Sequence, residues 1–150
     1  MPKKAAEKVI VYTDGGSRGN PGPAALGVVI QDAAGHTIKA YGEALGVKTN
    51  NEAEYSAVVF ALKKIRALFG KEATKKMVVD MRMDSELIQR QLSGRYKIEE
   101  EKLFPLFIAI WNLKLDFREI TFTHVPREQN KEADRMVNEA LDAKETKSLF

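Results

Sequence analysis

The chain alternates between two hydrophobic rhythms. KVIVYTD packs β-branched and aromatic residues into a short run and predicts a strand from Val9 to Asp14. Four glycines, two prolines and an asparagine follow before the next apolar side chain, Ala24, and read as a loop. AALGVVIQD predicts a second strand, DAAGH a turn, and TIKAYGEALG a third strand, together an antiparallel meander. The rhythm then changes. Val58, Ala61, Leu62, Ile65, Leu68 and Phe69 recur at helical spacing, so a helix is expected from about Asn51 to Phe69, stopped by Gly70. KMVVDMRMD is a fourth strand closing on Asp84, and SELIQRQLSG a short helix ended by Gly94. A helix from about Lys102 to Leu113 carries Pro105 near its start, where proline is tolerated. EITFTHV is a fifth strand. The last helix, Lys131 to about Ala143, aligns Ala133, Met136, Val137, Ala140 and Leu141 on one face.

The order β-β-β-α-β-α-α-β-α predicts an α/β protein: one five-stranded mixed sheet with helices on both faces. Residues 1–8 are expected as a flexible tail, 9–143 as one domain and 144–150 as a C-terminal tail. Trp111 lies in the apolar run FPLFIAIWNL and is expected in the core.

Composition narrows the chemistry. The sequence contains no cysteine, so disulfides and thiolate metal sites are excluded, in keeping with a reducing, cytoplasmic setting. No membrane span or signal peptide is evident. A net charge of +3 leans towards anionic partners such as nucleic acid.

Four acids stand where elements begin or end: Asp14, Glu54, Asp84 and Asp134. Each has a local explanation. Asp14-Gly15 suits a turn, Asn51-x-x-Glu54 a capping box, Asp84 an N-cap, and Asp134 the positive end of a helix dipole. Periodicity argues otherwise for two of them. Glu54 precedes Val58, Ala61 and Ile65 at steps of four, three and four, in line with the buried stripe. Asp134 precedes Val137 and Leu141 in the same way. Carboxylates there need a partner, and strand-tip acids facing two helix starts would converge at one end of the sheet. A divalent cation relieves such repulsion. All-oxygen donors favour Mg²⁺ or Mn²⁺, and two histidines without cysteine argue against zinc.

TDGGSRGNPGP, TNNEAEYSA, DSELI and HVPREQNKEAD, in that order and spacing, resemble type 1 ribonuclease H, in the variant lacking its basic protrusion. The resemblance implies the ribonuclease H-like fold, a monomer with no obligate protein partner, and cleavage of the RNA strand of an RNA/DNA hybrid. Two Mg²⁺ ions, with Mn²⁺ as substitute, would sit on Asp14, Glu54, Asp84 and Asp134, and the products would carry 5′-phosphate and 3′-hydroxyl ends. It also implies hybrid contacts at Asn20, Asn50 and Asn51, with Gly15, Ser17 and Thr49 beside them. The 2′-hydroxyls of the RNA strand would be read there without reading sequence. Glycines lacking Cβ would let the sugar-phosphate backbone approach that loop.

His124 has the spacing of the family's flexible histidine, but the shortened HVPREQN loop makes Arg127 the stronger candidate for that role. Where other members insert a basic protrusion, SGRYKIEEEK is short and mixed in charge, so Arg90, Arg95, Tyr96 and Lys97 are expected to contribute weakly. Glu86 stands where others often carry glutamine. Two alternatives remain open from the sequence: a non-catalytic nucleic-acid-binding module on the same fold, and a related nuclease preferring RNA/RNA duplex.

Overall fold

The structure, a computed structural model, describes residues 7–149. Five strands form one sheet: β1 (Lys8–Ser17), β2 (Gly22–Asp32), β3 (Thr37–Lys48), β4 (Val78–Met83) and β5 (Glu119–His124), ordered β3-β2-β1-β4-β5. β2 pairs antiparallel with both β1 and β3, whereas β4 pairs parallel with β1 and with β5. Parallel neighbours require crossovers. The first is α1 (Asn50–Phe69) with the single turn α2 (Lys71–Thr74); the second is α3 (Glu86–Leu92) with α4 (Phe104–Lys114). α5 (Lys131–Leu149) closes the chain.

Strand alternation sorts the layers. Val9 and Val11 of β1, Leu26, Val28 and Ile30 of β2, and Val79 and Met81 of β4 are buried in one cluster with Val58, Ala61, Leu62 and Ile65 of α1. Each Val, Leu, Ile or Met among them contributes roughly 1.5–3 kcal/mol through the apolar area it removes from water. On the opposite face, Ala25 packs with Val137 and Leu141 of α5. Gly27 makes that contact possible, because a Cβ there would overlap the Ala133 carbonyl.

β1 runs three residues beyond Asp14, with Gly15, Gly16 and Ser17 paired to Leu26, Ala25 and Ala24. The expected long loop therefore shrinks to residues 18–21, and Asp14 lies inside the strand. Glycines are depleted in strands, not excluded from them, and a paired neighbour decided the matter. The helix expected to end near Ala143 continues to Leu149, since nothing in KETKS breaks a helix. Most of the expected 1–8 tail lies outside the described residues.

Trp111 is not a core residue. It is 55% exposed, its ring stacked 5.6 Å from that of Phe107 and capped by Lys114 Nζ at 4.7 Å. α4 buries Ile110 and Leu113 in the core it shares with α1. Its run is apolar on every side, so spacing could not select the inward face.

Candidate active site

The parallel pairing of β1 with β4 gathers the acids. Its register joins Lys8 to Val78 and Tyr12 to Arg82, an offset of 70 residues (78 − 8) that carries Asp14 level with Asp84 (84 − 14). Both sit at the carboxyl edge of the sheet, over which α1 begins. There Thr49 caps the helix: its hydroxyl accepts from the Glu52 amide at 3.1 Å, and its own amide donates to Glu52 Oε1 at 2.9 Å. The capping box is thus Thr49–Glu52, not Asn51–Glu54, which leaves Glu54 free. Ser85 likewise caps α3, accepting from the Ile88 amide at 3.3 Å, so Asp84 is not an N-cap.

Carboxylate oxygens of Asp14, Glu54 and Asp84 all lie within 4.8 Å of one another. Asp14 is buried and Glu54 and Asp84 are half-buried. Asp134 stands outside that group of three, lines the same cleft, and acts on Asp14 through its nearby charge. Unlike the stripe that it precedes, Asp134 is exposed, whereas Val137 and Leu141 are buried. The four acids line one cleft with Ser17, Asn50, Arg127 and Asn138.

This crowding is electrostatically expensive. Burial, then the charges of Asp84 and Asp134, push Asp14 up to about 8, against a partial pull from the Gly15 amide. Glu54 is pushed well above the usual carboxylate range by burial first and by Asp14 and Asp84 next, offset in part by the Gly15 amide and Arg127. Three close oxygen donors with one nearby guanidinium fit a hard divalent cation, which would supply the missing positive charge. The Asp14–Glu54–Asp84 cluster is thus suited to divalent metal binding.

Asn130 escaped the reading of the sequence. It is 1% exposed, and its Nδ2 donates to the Thr13 carbonyl at 2.9 Å and reaches Asp84 Oδ2 at 3.4 Å. Its backbone carbonyl accepts from the Asp134 amide at 3.1 Å. One side chain and its own carbonyl therefore touch the segments carrying three of the acids. Asn130 lies within HVPREQNKEAD, but an asparagine before a helix reads first as a cap. Tyr55, beside Glu54, is buried and donates to Gln91 Oε1 at 2.7 Å, tying α1 to α3; burial and Glu100 push its hydroxyl up.

The residues expected to meet substrate form an edge beside the acids, already bonded to one another. The Asn50 amide donates to Asn20 Oδ1 at 2.9 Å, and Asn50 Oδ1 accepts from the Ser17 amide at 2.9 Å. Asn51 Nδ2 donates to Glu100 Oε1 at 2.6 Å. Gly15 lies against α1, where a Cβ would overlap Ala53 backbone, so its lack of a side chain serves packing. Arg127 lines the cleft within a single 3-10 turn, Arg127–Gln129. His124 ends β5, exposed, and is not among the described residues lining the cleft. Arg90 is engaged by Glu86 at 2.6 Å and by the Tyr96 hydroxyl at 2.8 Å.

A sheet of this order, with acids collected where its parallel strands end, defines the ribonuclease H-like class. A family model described as reverse transcriptase-like matches residues 12–140. LC11-RNase H1, solved in complex with an RNA/DNA hybrid, is similar over 91% of this chain and 98% of its own, with 46% identity and a TM-score of 0.86. RNase H1 of Halobacterium salinarum matches over 91% and 98%, with 39% identity and a TM-score of 0.83. Bifunctional protein Rv2228c of Mycobacterium tuberculosis is 41% identical over 137 residues, 91% of this chain but only 36% of that protein. The chain belongs to the reverse transcriptase-like family and, within it, to the type 1 ribonucleases H. It spans 65% of the Ribonuclease HI sequence of H. salinarum.

Proposed function

We propose that this protein hydrolyses the RNA strand of RNA/DNA hybrids, leaving 5′-phosphate and 3′-hydroxyl ends. The observation that carries this reading is the meeting of Asp14, Glu54 and Asp84 oxygens within 4.8 Å beside a polar edge. The hybrid bound by LC11-RNase H1 supports the choice of substrate. Asp14, Glu54, Asp84 and Asp134 would hold two Mg²⁺ ions, Mn²⁺ substituting; when bound, such ions activate a water and stabilise the departing oxygen.

The rest belongs to the chain. Burial and mutual repulsion oppose ionisation of both Asp14, pushed up to about 8, and Glu54, pushed well above the usual carboxylate range, while no cation is present. Asn20, Asn50 and Asn51 offer neutral donors and acceptors to a minor groove that displays 2′-hydroxyls. Thr49 acts through the cap it gives α1, Gly15 through close packing, and Ser17 through its bond to Asn50. Arg127, in the cleft, takes the mobile role at product release, and His124 at most assists.

The test is incubation with labelled RNA/DNA, RNA/RNA and DNA/DNA duplexes, with and without Mg²⁺. Cleavage confined to the RNA of the hybrid, stopped by EDTA and restored by Mg²⁺ or Mn²⁺, is expected. Binding without cleavage would establish the non-catalytic alternative, and preference for RNA/RNA the other.

A further inference from the structure

Arg18 opens the 18–21 turn and does not line the cleft. Its guanidinium is held by one face of α5. Nη2 meets Asp142 Oδ1 at 2.8 Å, Nη1 meets Glu145 Oε2 at 2.6 Å, and Nη2 lies 3.5 Å from Asn138 Oδ1. Positions 138, 142 and 145 follow steps of four and three, so one helical stripe grips one side chain. Glu145 lies in the part of α5 beyond residue 143, which gives that extension a purpose. From Arg18 the contacts continue towards the cleft. The Arg18 amide donates to the Pro23 carbonyl at 2.8 Å, closing the turn that carries Asn20. Asn20 receives the Asn50 amide, and Asn50 in turn receives Ser17.

We propose that Asp142 and Glu145 are positioning residues for the hybrid-binding edge, acting through Arg18 to hold the Ser17–Asn20–Asn50 array in register with the acids. The proposal rests on the reading that this edge contacts the hybrid. The chemistry suits the task. A turn between two paired strands is the least restrained part of that edge, and a multiply bonded guanidinium orients more than a single ion pair does. The individual pairs are exposed, so their effect is modest. It falls on substrate binding, because neither acid lines the cleft.

The experiment compares wild type, Arg18→Ala, Asp142→Ala/Glu145→Ala, and the triple variant on an RNA/DNA hybrid with Mg²⁺. The expected result is a KM raised about three- to tenfold in the first two, the range that two exposed ion pairs sharing one guanidinium allow. kcat should stay within about twofold, and the triple variant should be no worse than Arg18→Ala, because coupled residues are not additive. An effect of Arg18→Ala without one from the acid pair would overturn the proposal, since Arg18 would then act on phosphate directly. A lower KM after removal of the acids would overturn it as well, making them competitors of the substrate. Amide hydrogen exchange at Arg18 and Asn50 in the free protein supplies a reading independent of cleavage. Faster exchange in the acid-pair variant supports the clamp and unchanged exchange refutes it, even if no duplex is cut.

Discussion

The starts of α1 and α5 each deliver an acid to the same cleft, by opposite means. Glu54 follows a completed capping box, stands in line with buried Val58 and Ala61, and is half-buried. Its ionisation is opposed by burial before any other charge is counted. Asp134 is exposed, takes a long contact from Asn138 Nδ2 at 3.4 Å, and shares the cleft with the other three acids, its charge helping to push Asp14 up. One acid is fixed and desolvated; the other stays wet and adjustable. A desolvated carboxylate can be a strong cation donor because water does not compete for it, whereas a solvated one yields its place at lower cost.

The comparison breaks if the two acids prove interchangeable. Glu54→Gln should lower hybrid cleavage by at least about 1000-fold, the scale of removing an essential charged group from a preorganised site. Asp134→Asn should cost less, about 10–100-fold on the same reasoning. Steady-state kcat in Mg²⁺ measures both, and equal losses would erase the distinction between fixed and wet acid.

Asp14 links the two halves, and its prediction concerns stability. In the unfolded chain its pKa is near 3.8, while in the folded protein it is pushed up to about 8. Between these values the folded state holds a proton that the unfolded state has released. Raising the pH through that window therefore strips a proton at the folded state's expense, and stability falls. Metal-free protein should melt at progressively lower temperature from about pH 4 to about pH 8 on this account. Asp14→Asn should flatten the decline and stabilise the protein at pH 8 by on the order of 2 kcal/mol, with cleavage abolished. Thermal melts in EDTA across that range decide it; a decline just as steep in the variant would mean that Asp14 is not the titrating group. Added Mg²⁺ should stabilise the wild type and leave the variant nearly unmoved.

Arg127 is exposed and lines the cleft from the turn just before α5, so it tests the wet half. Arg127→Ala should slow turnover about tenfold and His124→Ala about twofold or less, within the range for single positioned groups. The reverse order in kcat would return the mobile role to His124.

The sequence announced these acids for a definite physical reason. A charge in line with an apolar stripe is an anomaly that periodicity exposes, as at Glu54. The succession of elements, the antiparallel meander and the mixed character of the sheet were legible because five strand-like runs alternate with helical ones. Other features depend on contacts that no local pattern contains. Whether Gly15–Ser17 form loop or strand is decided by residues 24–26 across the ladder. Whether Trp111 is buried is decided by which side of an all-apolar helix meets α1. Asn130 matters because of Thr13 and Asp84, 117 and 46 residues away, and a long-range bond from a residue typical of caps leaves no local trace. Asp134 shows the limit of periodicity itself. Three steps before buried Val137 it should be covered, yet helix starts have no preceding turn to cover them, and it is exposed.

The finest form of the comparison lies within α1, between two glutamates two positions apart. Glu52 closes the capping box with Thr49. Glu54, two residues on and on the opposite side of the same turn, joins the acid cluster. Glu52→Ala removes one charge-assisted bond to the Thr49 amide and one favourable charge at the helix start, a loss of about 0.5–1 kcal/mol. Cleavage should remain within about twofold, because the Thr49 hydroxyl still caps the helix and the buried stripe still sets the position of Glu54. Glu54→Gln should do the opposite, leaving stability unchanged or improved as repulsion with Asp14 and Asp84 is relieved, while activity disappears. Chemical denaturation paired with the cleavage assay separates the two. If Glu52→Ala reduced turnover as severely as Glu54→Gln, the cap, rather than the packed stripe beneath it, would be what aims the catalytic acid.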